Sequence, residues 1–202
     1  RVVEAVTLVS GERVIVKRYP HRAGLEGLKR LLPLSAARAE WENGRVLQDL
    51  GLPCADPIAY GREAGADGNP AAEVLVTRSI DESADLAHLW KAGALAPATR
   101  RDLVHAFARL VRALHDAGVA HEDPHLKNFL GRQTGEGWEV VPIDLRRLKT
   151  GARLGPSGRD VTLLLLYQTM GSVATRADRL RFLSTYLEGG DKAECRARAL
   201  WL

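Results

Sequence analysis

The chain has 202 residues, 46% of them hydrophobic and 27% charged, with a formal net charge of +4. That is enough for one well-buried domain or two small lobes, in proportions ordinary for a soluble globular protein. No apolar run reaches the roughly 18 residues of a membrane span, no signal-peptide pattern is present, and Cys54 and Cys195 match neither a disulfide framework nor a zinc spacing, so a reducing, cytoplasmic compartment fits. The positive balance suggests an anionic partner, such as a nucleotide or an anionic membrane or glycolipid surface. No nucleic-acid partner is expected, because no Lys/Arg block with interleaved aromatics occurs.

Residues 1–20 read as a hairpin about Ser10-Gly11, already inside a strand at Arg1, as though truncated upstream. In its second strand Lys17 shares a face with Ile15 and Tyr19, opposite Val14 and Val16. Ser35 to Leu50 has helical spacing and is stopped by Gly51 and Pro53. Glu40 lies on the face of Ala36, Ala37, Gly44 and Leu47, whose small side chains mark a close-packed surface. A carboxylate there is costly unless paired, and Lys17 is the natural partner. The bland alternatives are an exposed glutamate and a snorkelling lysine.

Pro57 to Gly61 begins a strand, 62–72 reads as a polar loop, and Glu73 to Thr77 as a further strand. Arg78 to Asp85 is a connector, which divides the chain into an N-terminal lobe, 1–80, and a mainly helical C-terminal lobe, 81–202. The backbone of Thr77, Arg78, Ser79 and Ile80 would offer hydrogen bonds to a flat base. Pro97 to Gly118 is the clearest helix, with Leu103, Phe107, Leu110, Val111 and Leu114 on one stripe.

His121 to Asn128, His-Glu-Asp-Pro-His-Leu-Lys-Asn, follows as an HxDxxxxN pattern, and Val140 to Asp144 is a short apolar run ending in an acid. Phosphoryl transfer needs such a set: one acid, Asp123, to orient the attacking hydroxyl, with Asn128 and Asp144 to hold magnesium against nucleotide phosphates. Two other readings stand beside it. The loop can be turns and caps alone, or His121, Asp123 and His125 can form a transition-metal cluster, for which cysteine ligands are missing nearby. After Asp144 come Arg146, Arg147, Lys149 and Arg153. Val161 to Met170, apolar on nearly all sides, is expected to be a buried helix with Asp160 as its N-cap candidate. Thr175 and Asp178 are spaced as a capping box, opening a helix with Leu180, Leu183 and Leu187 that stops at Gly189-Gly190, before a last short helix near Asp191.

With Lys17, Glu40, Asp123, Asn128 and Asp144 in this order, the chain resembles the protein-kinase-like fold, and within it the lipopolysaccharide kinase (Kdo/WaaP) family. The stretches that carry the likeness are 16–19, 39–43 with 50–53, 121–130 with 143–145, and 178–183 with 186–187. The resemblance implies an α+β, two-lobed fold with a small antiparallel-sheet N-lobe and a mainly helical C-lobe. It implies ATP-phosphate binding by Lys17, anchored by Glu40, with Asp123 as catalytic base and Asn128 and Asp144 as Mg2+ ligands. His121 would be structural, and Asp160 would be a buried acid bracing the catalytic loop. The implied acceptor is a sugar or glycolipid of the lipopolysaccharide inner core, reached on the cytoplasmic side with possible peripheral contact with the inner membrane. Glu122 departs from the arginine common at its position, and no Gly-rich phosphate loop is visible. Alternatives are a phosphotransferase acting on another small metabolite and a nucleotide-binding pseudokinase. The sequence leaves the oligomeric state open.

Overall fold

The computed structural model describes residues 1–20, 35–65, 70–91, 95–151, 154–171 and 173–188. Arg153, Gly189-Gly190 and the short helix expected near Asp191 lie outside them. Two compact units result. One comprises Arg1–Asp81 with Asp144–Arg147, the other Glu82–Ile143 with Leu148–Leu202.

The first unit is a four-stranded antiparallel sheet and one helix. Strands β1 (Val2–Thr7), β2 (Arg13–Pro20), β3 (Pro57–Ala64) and β4 (Pro70–Arg78) stand in the order β1-β2-β4-β3. The β1–β2 turn needs a left-handed residue, and Gly11 supplies it at φ +84°. Both β3 and β4 run into the stretch read from the sequence as a 62–72 loop, because cross-strand pairing carries the backbone through polar residues such as Arg62 and Glu63. Helix α1 (Ala36–Asp49) is capped by Ser35, whose hydroxyl accepts from the Arg38 N–H at 3.1 Å. It buries Ala37, Glu40, Gly44 and Leu47. Gly44 allows the approach: a Cβ there would sit 3.1 Å from Pro57 Cγ at the start of β3.

Asp144–Arg147 packs with this first unit because α1 holds it: Asn43 Nδ2 donates to the Leu145 carbonyl at 2.7 Å. The connector at 78–85 ends in a short strand, β5 (Ser83–Asp85), and leads into a helix that the sequence did not reveal, α2 (Leu86–Lys91).

The second unit is built on α3 (Pro97–Asp116), whose stripe Leu103, Phe107, Leu110, Val111 and Leu114 is buried. Phe107 is its centre, with ring centroids of Phe129, Phe182 and Trp90 at 4.9, 5.3 and 6.0 Å. Full burial of each such side chain stabilises by about 2–3 kcal/mol. Strands β7 (Phe129–Thr134) and β8 (Gly137–Pro142) form a hairpin in the order β5-β7-β8, and β6 (Val119–His121) pairs with β9 (Leu148–Thr150).

Helix α4 corrects two expectations. It spans Pro156–Met170 with Gly155 at the cap position, held extended as the residue before a proline tends to be. Asp160 is therefore inside the helix rather than its N-cap, and it is exposed rather than buried. Nor is α4 buried all round. Thr162, Leu166 and Met170 face inward, while Val161, Leu164 and Tyr167 are 58%, 48% and 39% exposed. Its apolar composition exceeds the one side that the unit packs, and Arg179 covers part of the rest, 5.1 Å above the Tyr167 ring. Helix α5 (Arg176–Leu187) opens with the Thr175–Asp178 capping box. Its buried side is Phe182, Thr185 and Tyr186, with Leu180 exposed.

Candidate active site

The candidate residues fall in both units, and each group has its own internal order. In the first, β2 places Lys17 and Tyr19 two residues apart on one face, toward α1. Lys17 Nζ pairs with Glu40 Oε1, and the Tyr19 hydroxyl donates to Oε2 at 2.5 Å. Lys17 is 8% exposed and Glu40 2%. Both carboxylate oxygens therefore have a donor, which is what allows the charge to be buried. Burial, then the neighbouring carboxylate, pushes the Tyr19 hydroxyl well above its ordinary pKa, so it stays protonated as a donor.

Asp144 follows β8 with φ +58°, a left-handed conformation that aspartate tolerates better than most residues. Its Oδ1 lies 2.8 Å from Arg1 Nη1 and 3.4 Å from Arg146 Nε, close charges without the directionality of a hydrogen bond. The backbone expected to meet a flat base is partly engaged. The Arg78 N–H donates to the Asp56 carbonyl at 2.8 Å and the Ser79 N–H to the Arg13 carbonyl at 3.0 Å. For those two residues the carbonyls, not the N–H groups, are what a ligand could use. Pairing that continues past the end of β4 is the reason. Thr77 is 5% exposed.

In the second unit the loop after β6 is tied by its own backbone. The His125 N–H donates to the Asp123 carbonyl at 2.8 Å, the Asn128 N–H to the His125 carbonyl at 2.7 Å, and Asn128 Nδ2 to the Asp123 carbonyl at 2.8 Å. His121, 2% exposed, accepts from the Asp123 N–H through Nδ1 at 3.2 Å. Its proton then sits on Nε2, 3.4 Å from the Ile143 carbonyl. The Ile143 N–H in turn donates to the Asn128 carbonyl at 2.8 Å, one residue before Asp144 in the chain. The Asp123 carboxylate is partly exposed, with His125 Nε2 at 3.1 Å.

Three members of this arrangement escape sequence reading: Tyr19, Asn43 and Arg1. Tyr19 lies on the Lys17 face and Asn43 three residues beyond Glu40, so spacing alone could have nominated both. Arg1 gives no such signal. Among the described residues no group of three or more His, Cys, Asp or Glu side chains is arranged to hold a metal ion. The donor set suits a hard cation instead, since magnesium is usually held by one or two carboxylates together with substrate phosphates. Taken singly, the Asp144 carboxylate, now beside Arg1 and Arg146, and the Asn128 amide, which donates through its nitrogen and so leaves its oxygen, are each hard oxygen donors of that kind.

The model of the lipopolysaccharide kinase (Kdo/WaaP) family matches residues 14–186. The chain is 33% identical over 163 residues to the lipopolysaccharide core heptose(I) kinase WaaP of Pseudomonas aeruginosa, covering 77% of this chain and 60% of that protein. It is 31% identical over 134 residues to a 3-deoxy-D-manno-octulosonic acid kinase of Haemophilus influenzae, covering 63% of this chain and 54% of the relative. A solved structure described as WaaP in complex with acyl carrier protein superposes with a TM-score of 0.67 at 29% identity, over 96% of this chain and 80% of that one. The antiparallel-sheet first unit and the largely helical second unit are those of the kinase-like fold.

Proposed function

We propose, from the premise that the chain belongs to the lipopolysaccharide kinase (Kdo/WaaP) family, that it transfers phosphate from ATP to a sugar hydroxyl of the lipopolysaccharide inner core, with magnesium, at the cytoplasmic face of the inner membrane. The observation that carries this reading is the buried pair of Lys17 and Glu40. An ammonium has three donors, and Glu40 takes one. The others suit the α- and β-phosphate oxygens of a nucleotide, and the pair fixes where they point.

The remaining roles follow from chemistry. Asp123, partly exposed on a loop held by five backbone and side-chain hydrogen bonds, takes the proton of the acceptor hydroxyl as that oxygen bonds to the γ-phosphorus and the bond from that phosphorus to the ADP oxygen breaks, ADP leaving. His121 keeps the loop tied to the Ile143 backbone. Asn128 and Asp144 each offer an oxygen to magnesium, which when bound neutralises charge on the phosphate oxygens. The backbone at Thr77 to Ile80 would offer hydrogen bonds to the base of the nucleotide.

ATP consumption with a core oligosaccharide tests the reading. Asp123→Asn should lower turnover by about 10²–10⁴-fold, the usual contribution of a general base, while calorimetry still registers ATP binding. Asp144→Ala should remove the magnesium dependence of that binding. Wild-type turnover by Asp123→Asn would exclude it as the base, and ATP binding indifferent to magnesium in the wild type would exclude the metal assignment.

A further inference from the structure

Glu40 is held by two donors from one strand, and only one of them belongs to the lysine clamp. We infer that Tyr19 is a positioning residue of the phosphate clamp: its hydroxyl fixes the Glu40 carboxylate so that Oε1 faces Lys17. The inference rests on the nucleotide role proposed for Lys17 and adds the part that sets it.

Three observations carry it. The Tyr19 hydroxyl is 2.5 Å from Glu40 Oε2, short enough for a charge-assisted bond, while Lys17 holds Oε1. Glu40 is 2% exposed, so water cannot replace either donor. Both donors come from β2 at positions 17 and 19, so one rigid strand sets the separation of the two groups gripping the carboxylate. A lysine alone has a flexible stem and lets a carboxylate turn about its own axis. A phenol on a planar ring, anchored two residues away, does not.

The consequence is that α1 is fastened to β2 without a ligand. The clamp is then preorganised, and nucleotide binding need not first order it. Arg1, the other charged neighbour of the phenol, lowers the hydroxyl pKa, whereas burial and Glu40 raise it, with a net rise. The hydroxyl therefore remains a donor throughout the neutral range.

The test is a double-mutant cycle of Tyr19→Phe and Glu40→Ala, with Glu40→Leu in place of the alanine if that variant does not fold. Its first readout needs no nucleotide: the rate at which the Lys17 amine is acylated by an amine-reactive ester, measured peptide by peptide. Tyr19→Phe should raise that rate about threefold in the wild-type background and leave it within about 1.5-fold where Glu40 is absent, since coupling of this kind isolates a pairwise interaction. The second readout is ATP affinity, which Tyr19→Phe should weaken about tenfold, as expected for loss of a hydrogen bond to a charged group, with the KM for acceptor unchanged. A ring that only packs would give the same labelling change with or without Glu40. That additive result overturns the inference, as does an unchanged Lys17 rate in Tyr19→Phe. Coupled labelling in a protein that binds no ATP would leave Tyr19 positioned as described and refute the kinase reading instead.

Discussion

Glu40 in the first unit and Asp178 in the second are carboxylates 2% and 1% exposed, and they are satisfied differently. Asp178 Oδ2 accepts from Arg100 Nε and Nη2 at 2.9 and 2.8 Å, and from the Thr175 N–H and hydroxyl at 2.9 and 2.7 Å. It also caps α5 and draws the start of α3 to it. Arginine presents a planar fork, and here its Nε–Nη2 edge is spent on Asp178 and on the Val173 carbonyl, 3.2 Å from Nη2. Glu40 is held instead by a lysine and a phenol, and lysine keeps donors in reserve. A closed set of bonds joins helices, while an open one can hold a ligand. Burial of an acid alone does not tell the two apart; the spare capacity of its partner does.

The largest effect should come from breaking the closed set. Asp178→Ala leaves Arg100 without its counter-charge and the Thr175 N–H without its acceptor, the half of the α5 capping box that Asp178 supplies. Removing one partner of a buried pair costs about 3 kcal/mol or more, which for a chain of this length is roughly 10 °C in melting temperature. Nucleotide affinity at a temperature where the variant is folded should be unchanged. A variant that melts like wild type but loses ATP binding would reverse the comparison.

The complementary substitution, Glu40→Gln, keeps shape and an acceptor for Tyr19 but removes the charge facing Lys17. ATP affinity should fall by about tenfold, on the scale of one charge-assisted hydrogen bond, and the melting temperature should fall less than in Asp178→Ala. Calorimetry and a thermal melt on both variants would place each acid on its side. If Glu40→Gln binds ATP like wild type, the lysine's reserve has no consequence.

Acid should separate the acids further. Burial works against ionisation of Asp178, yet the bonds from Arg100 and Thr175 outweigh it and hold the carboxyl below its ordinary range. A group whose folded pKa is depressed contributes stability that is complete above its unfolded value, about 3.9, and is lost as pH falls through the folded value. The difference in melting temperature between wild type and Asp178→Asn should therefore be constant from neutral pH down to about 5, and shrink below about 4. A difference that shrinks already near neutrality would mean that Asp178 is not held ionised by its arginine.

How far sequence reading reaches depends on the range of the cause. The β1–β2 hairpin, α1, α3 and the Thr175–Asp178 box were legible because their signals are local: Gly11, the Ser35 cap, a stripe centred on Phe107, a spacing of three. The lysine–glutamate pair was legible because burying Glu40 demands a cation and Lys17 stands on the right face. The β7–β8 hairpin was not, since Arg132, Gln133 and Glu139 dilute its alternation and only pairing reveals it. The leucine run of α4 misled because composition records what could be buried, whereas exposure depends on what packs against it. Asp160 is not the N-cap for a related reason: the helix begins at Pro156, one turn before it.

The smallest effect concerns the basic stretch after Asp144, where Arg146, Arg147 and Lys149 follow one another closely. The structure divides it. Arg146 lies against Asp144 at 3.4 Å, and Lys149 Nζ is 2.5 Å from Glu122 Oε1, so each positive charge has a negative one beside it. Arg147 is exposed and, among the described residues, has no ion pair. Any attraction for a phosphorylated core oligosaccharide should therefore come from Arg147. Exposed charges act weakly, on the order of 0.5 kcal/mol, so Arg147→Ala should raise the KM for such an acceptor about twofold at low salt and leave the KM for ATP alone. Screening shortens the reach of an exposed charge to about 10 Å at 0.1 M salt, so the effect should fade as salt rises. Lys149→Ala should do nothing measurable, because it removes a charge that Glu122 already cancels. If Lys149→Ala and Arg147→Ala raise the acceptor KM equally, the patch works as a whole and the Glu122 pair does not silence it; if neither does, the acceptor is drawn by something other than this loop.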